Sequence, residues 1–385
     1  MNSMEKKDLK GLTLGELESF AVSIGENKYR GKQLFEWLYA KEVSAFSEMS
    51  SISKSLREKL SSLAAIHSLA LVEARESQDD GTTKFLLELS DGKRIECVLI
   101  PPRTAFQDTE AKSEEEQKRL TLCVSTQVGC PLDCQFCATA MMGFVRNLTA
   151  GEIIDQVLQV KKISGRQITN LVYMGMGEPL MNYDNVMKSV DIITNSMGIA
   201  ARRVTISTAG WVPGIRRMAD ENRKVKLAIS LHTLDERIRQ KIMPITRKFS
   251  LRELLESIQY YYRKVRQRVT FEYILFAGLN DSDEDIARLI RLSKMIPSKV
   301  NIIPFHSIGS TNPDSASKLR PTQSLRAEEF VAKLREGYVT TFVRSSAGSD
   351  VNAACGQLAV KAGKNRSTKN PPSARQSKTS SVRPA

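Results

Sequence analysis

Residues 121–137 read Thr-Leu-Cys-Val-Ser-Thr-Gln-Val-Gly-Cys-Pro-Leu-Asp-Cys-Gln-Phe-Cys. A short strand-like run, Thr121 to Thr126, feeds three cysteines, Cys130, Cys134 and Cys137, at C-x3-C-x2-C spacing. Three thiolates on one tight loop can hold three irons of a [4Fe–4S] cluster and leave the fourth iron free to bind a further molecule. Zinc is the alternative, but a structural zinc takes four ligands, and this loop carries no fourth Cys or His.

Downstream, strand, loop and helix alternate. Strands are predicted near 121–126, 169–175, 202–208, 225–231, 269–275 and 299–305. Amphipathic helices fall near 149–164, 183–197, 213–222, 234–242 with 251–265, 282–295 and 324–337. Thr149-Ala150-Gly151-Glu152 is a capping box. Six such units predict an α/β fold on a parallel sheet, either an open barrel or a doubly wound sheet.

Upstream the pattern differs. Residues up to about 64 read as helical, with the capping pattern Thr13-Leu14-Gly15-Glu16 and, after Gln33, apolar positions Leu34, Trp37 and Leu38 at helical spacing. Their aromatics suit a small helical core, while Lys28, Arg30, Lys32 and Lys41 suit RNA docking. Residues 69–100 change to strand period, with Asp80-Gly81 and Asp91-Gly92 as hairpin signals. Arg103 to Arg119 reads as a polar surface loop. These shifts predict a helical domain (1–64), an antiparallel β extension with its loop (65–120), the barrel (121–345), a carboxyl-terminal cysteine segment (346–360) and a basic tail (361–385). From Lys364 onward the Ser/Pro/Lys/Arg-rich composition predicts disorder.

The net charge is +14, and seven of those charges come from residues 361–385, which hold no acidic residue. That balance points to a polyanion, nucleic acid ahead of membrane. No run of about 18 apolar residues is present, so no membrane span is expected. Met1 to Lys10 has no apolar core and is not expected to act as a secretory signal. Six clustered cysteines do not make a disulfide scaffold, and a reducing cytoplasm is expected. With only three histidines, His67, His232 and His306, a His-rich metal hydrolase is not expected.

The cysteine loop, with Phe136 before its last cysteine, resembles the radical S-adenosylmethionine superfamily. The resemblance implies a partial (β/α)6 radical-SAM barrel whose open iron chelates S-adenosylmethionine, with one electron from the cluster cleaving the cofactor to a 5′-deoxyadenosyl radical. Tyr173-Met-Gly175-Met-Gly177-Glu178-Pro179 is similar to the segment that holds the cofactor's methionine amino group. Ser207, Ser230-Leu231-His232 and Ile303-Pro304-Phe305-His306 also stand at predicted strand ends, where such barrels carry their sites. Gly177, Glu178, Ser207, Ser230, Leu231, His232 and His306 are therefore the candidate cofactor contacts.

The match extends further. Cys123 to Cys130, Arg203-Val-Thr-Ile-Ser-Thr-Ala-Gly210, Ala228-Ile-Ser-Leu-His232, Asp350-Val-Asn-Ala-Ala-Cys355-Gly-Gln-Leu and Tyr29-Arg-Gly-Lys-Gln-Leu-Phe-Glu-Trp-Leu-Tyr39 resemble the dual-specificity 23S rRNA and tRNA adenine-C2 methyltransferases. C2 of adenine is electron-poor and has no lone pair, so it cannot displace a sulfonium methyl. The resemblance implies a route through a methylated cysteine carrier, Cys355, that consumes two S-adenosylmethionine per methyl. Cys123 is then the resolving cysteine, left in a disulfide with the carrier, and Glu96 the proton acceptor. Strand alternation puts Ile95, Cys97 and Leu99 on one face and Glu96 on the other, where a plain surface carboxylate is the alternative. Cys97 reads as a packed thiol. His306 stands where the family has Asn, and an imidazole offers one donor or one acceptor rather than an amide's pair.

The implied partners are 23S rRNA, tRNA and a flavodoxin-type electron donor, with a monomer expected. Two other functions stay open: the adenine-C8 methyltransferase, which uses the same chemistry, and a non-catalytic RNA-binding iron–sulfur protein. Cys123 and Cys355 argue against the latter, since a binding module needs neither.

Overall fold

The computed structural model describes residues 6–102, 119–306, 319–344 and 347–360. The acidic stretch of the loop after residue 102 and the basic tail from residue 361 lie outside them.

The amino-terminal region is helical. The Leu14–Ser23 helix starts on the Thr13/Glu16 capping box; Tyr29–Phe35 and Lys54–Leu63 follow. Leu34, Trp37, Leu38 and Tyr39 are buried, so these aromatics form core. Gly31 lets two helices touch: a Cβ there would lie 2.4 Å from Glu18 Cα. Strands β1 (Lys7–Asp8) and β2 (Ala64–Ala65) pair and tie the two ends of the unit together. The unit is fixed to the barrel by a buried ion pair, Lys10 Nζ to Asp155 Oδ1 at 2.6 Å, beside a backbone approach of Gly11 to Gly151.

Strands β3 (Ala70–Glu76), β4 (Thr83–Glu88) and β5 (Arg94–Ile100) form an antiparallel meander. It is not a separate sheet. β5 pairs antiparallel with β6 (Thr121–Cys123), and the extension continues directly into the barrel. β5 is thereby covered on both faces over five consecutive residues, which two-residue alternation could not reveal.

Beyond β6 the chain makes a hairpin, β7 (Gln127–Gly129) with β8 (Phe144–Asn147), then β9 (Asn170–Tyr173), β10 (Val204–Thr208), β11 (Lys226–Ser230), β12 (Val269–Leu275), β13 (Ser298–Pro304) and β14 (Thr341–Val343). The sheet order is β14-β13-β12-β11-β10-β9-β6-β5-β4-β3. All pairings from β6 through β14 in this sheet are parallel. Each new strand adds on the same side, whereas a doubly wound sheet reverses its order partway. The winding is that of a partial barrel, open between β14 and the extension. It holds seven parallel strands rather than the six predicted. β14 escaped notice because three residues, only one of them buried, carry no readable alternation. The predicted strand 121–126 is also shorter, because the chain leaves the sheet at Val124 to enter the hairpin.

Candidate active site

The hairpin makes the cysteine loop. Gly129 (φ +75°) ends β7, and a Cβ there would lie 1.8 Å from Gly143 O, so only glycine permits this closure. Cys130 N–H donates to Gly143 O at 2.9 Å. Residues 130–142 are thus a loop pinched at its base, with Cys137 N–H donating to Cys134 O at 3.0 Å inside it. The three cysteines line one cavity at the carboxyl ends of the barrel strands. Burial pushes the Cys130 thiol up to about 12 and raises the Cys134 thiol well above its ordinary value. Among the described residues no three His, Cys, Asp or Glu side chains converge on one ion. Separate half-buried thiols on one wall suit a cluster whose irons take one thiolate each, rather than a single zinc.

The opposite wall is built from the strand ends. Gly175 and Gly177 approach the β6–β7 chain so closely that Cβ atoms would lie 2.7 Å from Val124 O and 2.6 Å from Gln127 Cβ. Gln127 Oε1 accepts from Glu178 N–H at 2.8 Å. Glu178 is 2% exposed and accepts from Ala209 N–H (2.8 Å) and Leu180 N–H (3.1 Å). Burial lifts its carboxyl to about 7 against those hydrogen bonds. A buried carboxyl in that state gains from a cationic partner, as the ammonium of a methionine would be.

Ser207, Ser230 and His232 line the same cavity. His232 takes a positive φ of 57°, packs edge-on against Phe136 at 4.7 Å, and its Nδ1 accepts from Ile274 N–H at 3.1 Å. Burial, helped by Arg239, lowers it to about 3, so the ring is neutral with its proton on Nε2. Leu231 and His306 are not brought to the cavity wall. The Leu231 side chain is in the core, while its carbonyl accepts from Arg239 Nε at 3.1 Å. His306 follows β13 and is half-buried.

Arg239 was not singled out from the sequence. It is 1% exposed, and its guanidinium also donates to Ala209 O (2.8 Å), Ser230 O (3.0 Å) and Thr246 Oγ1 (2.7 Å). It clamps the ends of β10 and β11, which present Ser207, Ser230 and His232. Its position on a short basic helix, Glu236–Ile242, looks like an exposed face and gave no signal.

Two thiols outside the cysteine loop join the cavity. Cys123 ends β6, and burial raises it to about 12. Cys355 is exposed at the mouth, on a segment that is fastened on both sides. Ala138 N–H and Thr139 Oγ1 of the cysteine loop donate to Gly356 O and Leu358 O, both at 2.6 Å. The β extension holds the same segment through Gly348 N–H to Asp80 Oδ2 (2.9 Å) and Lys84 Nζ to Asn352 O (3.3 Å). Cys97 is fully buried in the core, as expected of a packed thiol.

Glu96 differs from the surface reading. It is 5% exposed, because the carboxyl-terminal segment covers β5. Its carboxylate stands 3.2 Å from Lys84 Nζ and accepts from Ala359 N–H at 3.0 Å. Burial raises its carboxyl against the pull of Lys84. It lies behind the Cys355 segment rather than on the cavity wall.

This arrangement has known counterparts. Residues 124–290 match the radical SAM superfamily model, and residues 7–66 match the ribosomal RNA large subunit methyltransferase N-terminal domain. A crystal structure of a radical SAM methyltransferase from Sphaerobacter thermophilus superposes with a TM-score of 0.80 at 38% identity, covering 91% of this chain and 99% of that one. Barrel, cysteine loop and that likeness define a radical SAM enzyme. A protein of Syntrophomonas wolfei described as "Probable dual-specificity RNA methyltransferase RlmN" is 42% identical over 93% of this chain and 98% of its own. One of Thermotoga neapolitana with the same description is 43% identical over 92% and 98%. The chain belongs to the dual-specificity RNA methyltransferase RlmN family.

Proposed function

We propose that this enzyme methylates C2 of an adenine in 23S rRNA, in the peptidyl-transferase region, and of an adenine in the tRNA anticodon loop, by way of Cys355. The observation that carries this reading is the presence of two further thiols, Cys123 and Cys355, in the cavity lined by the three loop cysteines. A methyltransferase acting by direct displacement needs neither.

Cys130, Cys134 and Cys137 would hold a [4Fe–4S] cluster, and Glu178, with Gly177, Ser207, Ser230 and His232, would hold S-adenosylmethionine. When bound, these groups would supply a methyl for Cys355 and a 5′-deoxyadenosyl radical able to remove a hydrogen atom from it. The chain does the rest. Cys355 presents its S-methylene radical to C2 and forms a carbon–carbon bond there. One electron from the adduct would return to the cluster that the loop cysteines would hold, and Glu96 takes the C2 proton. Cys123 then attacks the Cys355 sulfur, an S–S bond forms as the S–C bond breaks, and the methylated base leaves after gaining a proton at the new methyl. Glu96 reaches the base only when the Ala359 contact opens, so the carboxyl-terminal segment shifts during turnover.

RNA is held by Lys and Arg on the helical domain, Lys28, Arg30, Lys32 and Lys41 among them. A flavodoxin-type protein supplies the electron, and the enzyme works as a cytoplasmic monomer. Among the described residues no helix is long and apolar enough to cross a membrane. The test is reconstituted protein with protein-free rRNA, or tRNA, and labelled cofactor, followed by mass spectrometry of the adenosine. 2-Methyladenosine is expected; 8-methyladenosine, or no product with intact cofactor cleavage, would overturn the reading.

A further inference from the structure

One charged pair in the cavity has no part in the scheme above. Glu272 lies on β12, in register with Ser230 of β11 on one side and Asn301 of β13 on the other. It is 4% exposed, and Oε1 accepts from Asn301 Nδ2 at 3.0 Å. Oε2 has no hydrogen-bond partner among the described residues. The nearest cation is Arg344, directly after β14, whose Nη1 stands 3.6 Å from that oxygen and 3.6 Å from Met174 Sδ. The separation from the carboxylate oxygen is too long for a good hydrogen bond, and the thioether sulfur accepts only a weak one. Both side chains line the cavity, and the charge of Arg344 acts on both Cys123 and Cys355.

A buried carboxylate oxygen without a donor is costly unless a ligand completes it. The ligand must bring a donor for Glu272 and, beside it, an acceptor for Arg344. Adenine carries that pair on neighbouring positions of one edge: the N6 amine donates and N1 accepts. We propose that Glu272 and Arg344 read this edge of the target adenine, Glu272 Oε2 accepting from N6–H and the Arg344 guanidinium donating to N1. This inference rests on the adenine-C2 reading. N1 is bonded to C2, so an N1 contact at Arg344 sets the reacting carbon beside the two thiols that Arg344 faces. A guanidinium on N1 also withdraws electron density from C2 and favours addition of an electron-rich S-methylene radical. Hypoxanthine reverses both partners, presenting an acceptor at O6 and a donor at N1, so it is rejected although it too carries a C2–H.

The ribose hydroxyls of the cofactor are the competing ligand for the carboxylate, and a cycle of enzyme and substrate changes separates the two. In RNA bearing purine riboside at the target, the N6 amine is gone. The wild type should lose about 10- to 100-fold in kcat/KM, the worth of a charge-assisted hydrogen bond. In Glu272→Gln, Asn301 Nδ2 claims the remaining amide oxygen and the NH2 faces the base, so removing the N6 amine should cost nothing further. In Arg344→Met, replacing N1 by carbon (1-deazaadenosine) should likewise add nothing to the loss that the substitution itself causes. Retention of the cluster absorbance certifies the folded site in each variant. An undiminished purine penalty in Glu272→Gln overturns the base contact alone. Loss of RNA-independent methyl loading of Cys355 in either variant assigns the pair to the cofactor and also overturns it. A wild type that leaves the adenosine substrate unmethylated overturns the adenine reading itself.

Discussion

His232 is where the cavity's dryness becomes measurable. Unfolded, its imidazole takes a proton near 6.5; folded, burial holds it to about 3. Protons therefore favour the unfolded chain, so stability is fully present above pH 6.5 and falls as pH drops toward 3. By pH 5 this group alone removes about 2 kcal/mol. The drop in Tm of cofactor-free protein between pH 7 and pH 5 should be smaller in His232→Asn than in the wild type; equal drops would show that His232 is solvated. Which residues line the cavity was legible where a motif marked them, as for the loop cysteines, Gly177, Glu178 and His232. It failed where burial came from distant chain. Glu96 looked solvent-facing because the segment that covers it lies about 260 residues away. Glu272 did leave a signal, as the one charge inside the apolar run Val269–Leu275, which alternation alone would not mark as a site.

At the scale of elements, the barrel's strands and helices were read to within a few residues, because most helices begin at a cap and most strands run apolar. The seventh strand and the two-sided cover of β5 were not, since both depend on pairing with remote chain. The same holds for the clamp at the ends of β10 and β11. Arg239 satisfies three carbonyls and a hydroxyl where two strand ends meet. Arg239→Met leaves those acceptors buried without donors, and a loss on the order of 3 kcal/mol is expected. Denaturant unfolding checks this. Because the clamp presents Ser207, Ser230 and His232, cofactor affinity should fall in the same variant under conditions where it remains folded. Unchanged stability and affinity together would make Arg239 a bystander.

For the whole molecule, the helical unit, the extension and the carboxyl-terminal segment are all tied to the barrel. The Lys10–Asp155 pair fixes the first, continuous pairing through β5 and β6 the second, and the Ala138 and Thr139 contacts to Gly356 and Leu358 the third. An excess of positive charge on such a protein makes RNA affinity depend on counterion release. If about six phosphates are engaged, affinity should fall about 1000-fold between roughly 50 and 200 mM salt. Removing residues 361–385 takes away seven basic residues. It should weaken non-specific binding and flatten the salt slope while leaving turnover at saturating RNA intact. Filter binding and initial rates check both, and loss of turnover would give the tail more than a tethering role.

The division of labour between the two non-cluster thiols is the claim on which the account turns, and a denaturing gel of single-turnover reactions tests it most directly. Cys123→Ala keeps the carrier but lacks the thiol that releases the base, so a covalent protein–RNA species joined through Cys355 should accumulate. Cys355→Ala lacks the carrier and should give neither adduct nor product. An adduct with Cys355→Ala, or none with Cys123→Ala in protein whose cluster is intact, would contradict it.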